Sequence, residues 1–271
     1  MQHTRHGGAK KSLGQHFLTS PSALAAIISA ANIREGESVL EIGPGKGVLT
    51  RALLAQGARV TAVEKDHRLL PLLHEEFSKE IMGGQLTLVE ADALQFIPES
   101  QELKALRYKV VANIPYYITG KILRHLFSAA TLPERVVLLL QREVAERAAR
   151  DSKESVLSLS LKCYGSPVYV KTVPAGAFSP PPKVDSAILS IQSISRDFFT
   201  EFPESFWFSL IKTGFGQKRK KLLGNLGRLF SKKELAEAFH KLAIPENARA
   251  EDLSTAEWRR LAAALYRLKK S

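Results

Sequence analysis

The chain has 271 residues, 45% of them apolar, and 39 Lys and Arg against 27 Asp and Glu, for a net charge of +12 and a pI near 9.8. That length fits one large domain, or one domain with a small appendage, and the apolar share is ample for a core. The lone Cys163 excludes an internal disulfide and no apolar run reaches the roughly 18 residues of a membrane span, while the polar, basic start lacks a signal core, so a cytoplasmic protein with a polyanionic partner is expected.

Residues 1–8 read as disordered. Lys10-Lys11-Ser12-Leu13-Gly14-Gln15-His16-Phe17-Leu18 follows as a basic lead-in segment, in which His16 by itself is a surface loop histidine. Ser20-Pro21 reads as N-cap and first helical residue before an apolar helix over 23–31. Residues 38–42 form a short apolar strand that runs into Gly43-Pro44-Gly45-Lys46-Gly47, with a helix over 48–55 behind it. A glycine-rich turn between strand and helix lets backbone approach a ligand under the helix N–H groups. The pattern is acid-x-Gly-x-Gly-x-Gly, neither G-x-G-x-x-G nor a P-loop, and a tight structural turn is the alternative.

A second strand, 59–64, ends in Glu64, 21 residues after Gly43, where a carboxylate can accept both hydroxyls of an adenosine ribose. A helix is expected over 66–80. A third strand, 86–92, ends in Asp92, placed to accept from an adenine amino group. A fourth, 108–112, breaks at Asn113-Ile114-Pro115-Tyr116, because Pro115 donates no ladder N–H and holds its predecessor extended. There an amide oxygen, a backbone carbonyl and a flat ring can converge on the exocyclic amine of a planar base; the alternative is a strand-to-helix turn with Tyr116 in the core. Four strands thus end in Gly43, Glu64, Asp92 and Asn113 at intervals of 21, 28 and 21 residues, each with a helical stretch between. That alternation predicts a parallel, doubly wound α/β sheet with its ligands at the carboxyl ends of the strands.

A fifth strand over 135–140 leads into a mixed-charge helix over 141–147. Strands over 168–170 and 186–191 flank Phe178-Ser179-Pro180-Pro181-Pro182-Lys183-Val184-Asp185, whose triple proline fixes an extended loop. Phe178 is either a second wall for a base or a core aromatic. Beyond about residue 195 the chain turns aromatic and then helical. Residues 197–271 carry 15 Lys and Arg against 9 Asp and Glu, four of those cations in Lys218-Arg219-Lys220-Lys221, which is either a phosphate-binding cluster or a solvated helix face. Ser254-Thr255-Ala256-Glu257 is a capping box for a last helix. No repeat and no metal-ligand spacing is present in the sequence.

These residues resemble the rRNA adenine N6-dimethyltransferases, most closely those acting on the small subunit (16S) rRNA. The resemblance runs from Lys10 to the last helix. It is carried by Leu13-Gly14-Gln15-His16-Phe17-Leu18, Glu41-Ile42-Gly43-Pro44-Gly45-Lys46-Gly47, Asn113-Ile114-Pro115-Tyr116, the Phe178 to Ser186 run, Phe215-Gly216-Gln217-Lys218-Arg219-Lys220 and Arg249-Ala250-Glu251-Asp252-Leu253-Ser254. It implies a class I methyltransferase Rossmann-like domain with a mostly parallel seven-stranded sheet over 1–196, and a small, basic, all-helical domain over 197–271. It implies S-adenosyl-methionine as cofactor, held by His16, Leu18, Gly43, Gly45, Glu64, Asp92 and Asn113. Catalytic roles fall on Asn113, Pro115, Tyr116 and Phe178, and phosphate contacts on Lys10, Lys11, Lys218, Arg219, Lys220 and Lys221. The implied activity is dimethylation of two adjacent adenosines in a hairpin loop near the 3′ end of small-subunit rRNA, by a monomer without a metal, within an assembling 30S particle. The large-subunit rRNA methylases of macrolide resistance share Asn-Ile-Pro-Tyr, but the Pro-Pro-Pro-Lys-Val-Asp-Ser run favours the small-subunit enzymes. A non-catalytic nucleic-acid-binding factor on the same scaffold is disfavoured by the intact 113–116 set, and a nicotinamide dehydrogenase by the glycine spacing. Two departures stand out: Ser152-Lys153-Glu154-Ser155 lacks the family's Tyr-Gly, and Gly216 replaces a frequent Asn.

Overall fold

The computed structural model describes residues 15–96, 107–115 and 118–270; the expectations for residues 1–8, Lys10, Lys11 and Tyr116 lie outside them. The chain runs β1 (Phe17–Leu18), α1 (Pro21–Ala31), β2 (Ser38–Ile42), α2 (Val48–Leu54), β3 (Arg59–Glu64), α3 (Leu70–Glu76), α4 (Ser78–Met82), β4 (Leu86–Glu90), β5 (Lys109–Asn113), α5 (Thr119–Ser128) and β6 (Arg135–Gln141). It continues through α6 (Arg142–Ala149), α7 (Val156–Lys162), β7 (Ser166–Val173), β8 (Phe178–Ser179) and β9 (Ser186–Gln192) to four helices, α8 (Glu204–Gly214), α9 (Leu222–Leu226), α10 (Lys232–Lys241) and α11 (Thr255–Lys270). Two compact units result: Met1–Ala145 with Val168–Ile194, and Glu146–Pro167 with Ser195–Ser271.

The first unit is built on a seven-stranded sheet of order β4-β3-β2-β5-β6-β9-β7. The pairs β2/β3, β3/β4, β2/β5 and β5/β6 are parallel and β6/β9 is antiparallel. The central strands read as unbroken apolar runs because they are covered on both faces, and Val39, Val60, Val110, Val111, Val136 and Leu138 are all buried. From β2 the chain winds outward through β3 and β4, then returns to the other side of β2 with β5 and β6. The order reverses between β2 and β5, and a doubly wound sheet opens a crevice at such a reversal. The two-residue β1 pairs with β8, Leu18 opposite Phe178, which ties the lead-in segment to the proline-rich loop.

Ser20 caps α1 as expected, its hydroxyl accepting from the Ala23 N–H at 3.3 Å. The helix expected over 66–80 is instead a turn followed by two short helices, because the Asp66 carboxylate accepts from the Arg68 N–H and guanidinium and Phe77 leaves helical geometry. The Phe77 ring is turned under the glycine loop. Gly47 adopts φ +76° there, and a Cβ on it would meet the Phe77 ring at 2.5 Å. Gly47→Ala combines left-handed strain with overpacking, each worth about 1–2 kcal/mol or more. A loss of about 2–4 kcal/mol in urea unfolding is expected; an unchanged midpoint would show that the ring moves aside freely.

In the second unit, Trp207 and Trp258 are wholly buried, edge to face at 6.5 Å, with Phe215 stacked on Trp258 at 5.8 Å. Ser231 and Ser254 make capping boxes with Glu234 and Glu257 ahead of α10 and α11. Arg249 to Ser254 is structural: the Arg249 N–H donates to Asp252, and the Ala250 carbonyl accepts from the Trp258 indole at 3.0 Å. Residues 146–167, which the sequence placed with the sheet, fall in this unit. The physical cause is Glu154, whose carboxylate accepts from Lys162, Ser158 and Thr255, together with the Lys153–Glu251 ion pair at 2.6 Å. Lys218, Arg219, Lys220 and Lys221 are all exposed, but they form the turn between α8 and α9 rather than a helix face.

Candidate active site

The carboxyl ends of β2, β3, β4 and β5 surround a cavity of ≈ 330 Å³. His16, Leu18, Gly43, Gly45, Glu64, Asp92, Asn113 and Pro115 all line it. Apart from His16, which leads into β1, each arrives there because its strand stops at that residue or just before it, so residues far apart in sequence are gathered in one place.

Glu64 forms the floor. Its side chain bridges two strand ends, accepting from the Gly45 N–H at 3.2 Å and the Asp66 N–H at 2.8 Å. Burial raises its pKa, and those backbone N–H groups offset part of the rise. Asp92 accepts from Lys65 at 2.8 Å and from the Leu94 N–H at 3.0 Å, and the Lys65 hydrogen bond holds its carboxyl below the usual range. Between the two acids lie Val63, Ala91, Ala93 and Leu94. An acid deep in the crevice and another at its side, with an apolar slot between them, suit a vicinal diol joined to a planar base.

Asn113 sits at the mouth. Its Nδ2–H donates to the His16 carbonyl at 3.1 Å. A carbonyl only accepts, so this bond fixes which amide atom is nitrogen and leaves Oδ1 for the cavity, without a partner among the described residues. His16 is in turn held by Nδ1–H donating to the Pro180 carbonyl at 2.8 Å. The Pro115 carbonyl accepts from the Ile118 N–H at 3.2 Å, so among the described residues the Ile114 carbonyl is the backbone acceptor of this turn left for a ligand.

Phe178 does not line the cavity; it is 4% exposed and packs in the core cluster with Leu18, Val173 and Ile188. Its pairing opposite Leu18 turns the ring inward, so the core alternative describes this conformation. Three contributors escaped the sequence reading. Gln15 crosses the crevice to donate to Asp66 at 2.9 Å, Lys65 covers Asp92, and Lys121 lines the mouth. Only the polar run Glu64-Lys65-Asp66 at the end of an apolar strand could have flagged Lys65, and nothing local flags Gln15. Among the described residues no group of three or more His, Cys, Asp or Glu is gathered as for a metal, and no helix is long and apolar enough to cross a membrane.

A seven-stranded sheet in which β9 runs antiparallel to β6, with its crevice at the reversal beside β2, is the class I methyltransferase fold. The family model for ribosomal RNA adenine dimethylase matches residues 7–266, and the chain belongs to that family. It is 40% identical over 256 residues to a ribosomal RNA small subunit methyltransferase A of Dehalococcoides mccartyi, spanning 93% of this chain and 87% of that one. A protein of the same name from Thermosynechococcus vestitus is 38% identical over 97% of this chain and 99% of its own. Among solved structures, a dimethyladenosine transferase from Plasmodium falciparum superposes with TM-score 0.77 at 29% identity, covering 91% of this chain and 96% of that one. The 23S rRNA methyltransferase ErmE gives 0.72 at 27%, covering 92% and 99%.

Proposed function

We propose that this rRNA adenine dimethyltransferase uses S-adenosyl-methionine to methylate N6 of two adjacent adenosines in a hairpin loop near the 3′ end of small-subunit rRNA, in an assembling 30S particle. The observation that carries the reading is the Asn113 amide, held by His16 so that its oxygen faces the crevice. The small subunit is favoured over the large because relatives at 38–40% identity are named for it, whereas the 23S enzyme matches at 27%.

The donor set fits the cofactor. Glu64 would take the ribose hydroxyls and Asp92 the adenine amine, with Gly43, Gly45, Leu18 and His16 closing around the rest. When bound, S-adenosyl-methionine supplies an electrophilic methyl group on a sulfonium. An adenine N6 is a poor nucleophile because its lone pair is spread into the ring. Asn113 Oδ1 and the Ile114 carbonyl, each accepting one N–H, pull that nitrogen toward a tetrahedral shape and aim its lone pair. Tyr116 supplies a stacking face for the base, which is reached by swinging it out of its loop. Most of the acceleration is therefore positioning and electrostatics. The proton leaves only after the nitrogen has become cationic, so no strong base is needed. After the first transfer one N–H remains for one of the two acceptors. Lys10, Lys11 and Lys218 to Lys221 hold phosphates, and their contribution weakens steeply with salt.

Small subunits from cells lacking the gene, incubated with enzyme and tritiated cofactor, should gain methyl groups that map to two neighbouring adenosines. Label confined to large-subunit rRNA would refute the assignment. Glu64→Ala should weaken cofactor binding at least tenfold in titration calorimetry, since it removes a charged acceptor from the buried crevice; an unchanged dissociation constant would remove Glu64 from the role.

A further inference from the structure

The sheet has a second populated edge, where its strands begin. Lys109 opens β5 and Arg135 opens β6, and with Arg34, Glu37, Arg107 and Glu134 they line a separate hollow of ≈ 500 Å³ in the first unit. Strands of five residues put this hollow about 17 Å from the candidate active site.

Its floor is a buried ion pair. The Lys109 side chain is 9% exposed and its Nζ donates to Glu37 and to the Asn32 carbonyl, both at 2.5 Å. Glu37 is further committed, accepting from the Arg34 backbone N–H at 2.9 Å. The other carboxylate, Glu134, faces Arg107 at 3.4 Å across a pair whose Arg107 side chain is 85% exposed. Arg135 gives one N–H to the Ala30 carbonyl at 3.0 Å, and the Arg34 charge acts on Glu37 alongside Lys109. The hollow thus gathers four cations, Arg34, Arg107, Lys109 and Arg135, against two carboxylates, Glu37 and Glu134, a surplus of two positive charges.

The geometry points to this hollow as a second phosphate-binding site, which takes a phosphodiester of rRNA outside the target loop. Guanidinium forks match phosphate oxygens in pairs, and a buried Lys109–Glu37 lock fixes the wall on which Arg34 stands. The choice of RNA rests on the proposed function and on the net charge of +12.

The test uses the full chain with Arg34→Gln and Arg107→Gln combined. Both residues are exposed and outside the cofactor crevice, so folding and cofactor affinity should not change. Binding to undermethylated small subunits should weaken, and the slope of log affinity against log salt should become shallower by roughly 1.5, as expected for two lost phosphate contacts. Methylation of a short RNA hairpin holding only the target loop should stay at the wild-type rate. An unchanged salt slope on whole subunits would overturn the proposal. So would inorganic phosphate protecting the hollow in a wild-type titration while subunit binding ignored the double variant, because the site would then serve a free anion. The salt slope is read from binding, so it stands or falls even if wild-type enzyme methylates neither RNA, which would instead sink the proposed function.

Discussion

Replacing Asn113 with Ala is expected to lower methyl transfer about 10²–10³-fold, with cofactor affinity changed less than tenfold, since one preorganised polar partner of a developing charge contributes on that scale. The amide has two separate duties in this structure. Its nitrogen ties the strand end to the His16 carbonyl, and in the proposed function its oxygen accepts from the substrate amine. Alanine deletes both, so a second variant separates them. Asn113→Asp keeps an acceptor toward the cavity but sets a carboxylate oxygen against the His16 carbonyl, repelling the lead-in segment. If the oxygen matters most, Asp should retain more turnover than Ala at saturating cofactor while binding cofactor worse. Single-turnover rates with tritiated cofactor and undermethylated small subunits measure both variants. A rate for the Ala variant within threefold of wild type would remove Asn113 from the chemistry.

The crevice was legible in the sequence because each of its walls is a strand that stops. An apolar run ending in one polar residue shows both where a buried strand lies and which side chain it delivers, and this holds for Glu64 and Asn113, while Asp92 follows two residues past β4 and Gly43 brings backbone alone. What escaped the reading depends on distant partners. No local pattern says that Gln15 will reach Asp66, 51 residues on, or that Lys153 and Glu154 will hold Glu251 and Thr255 and carry residues 146–167 into the helical unit. The break between α3 and α4 belongs with these, because Phe77 packs under Gly47 and tertiary contact overrides an acceptable helical sequence. The pair β1/β8 is too short for periodicity to show. Phe178 illustrates the limit most plainly, since an aromatic before a proline run fits a pocket wall as well as a core, and only its register opposite Leu18 decides.

Glu41 was legible only as the acid of a glycine motif, yet it is 0% exposed at the centre of the sheet, and neither of its carboxyl oxygens makes a well-formed hydrogen bond. Desolvation pushes its pKa up to about 8; the nearby Thr50 side chain and N–H offset part of the rise, and the Glu64 charge adds to it. The folded chain therefore keeps a proton on Glu41 that the unfolded chain releases near its ordinary value of 4.5. Between those two values the native state binds more protons than the unfolded state, so stability falls as pH rises, by about 1.4 kcal/mol per unit. Glu41→Gln removes the titration at nearly constant shape. Denaturant unfolding at pH 5 should find wild type and variant close together, and at pH 8.5 the variant should be more stable by on the order of 4 kcal/mol. Asp66 and Asp92 are common to both proteins, so their own pH dependence cancels in the difference. Parallel stability curves from pH 5 to 8.5 would show that Glu41 is ionised throughout and that the fold supplies it a counter-charge or solvent.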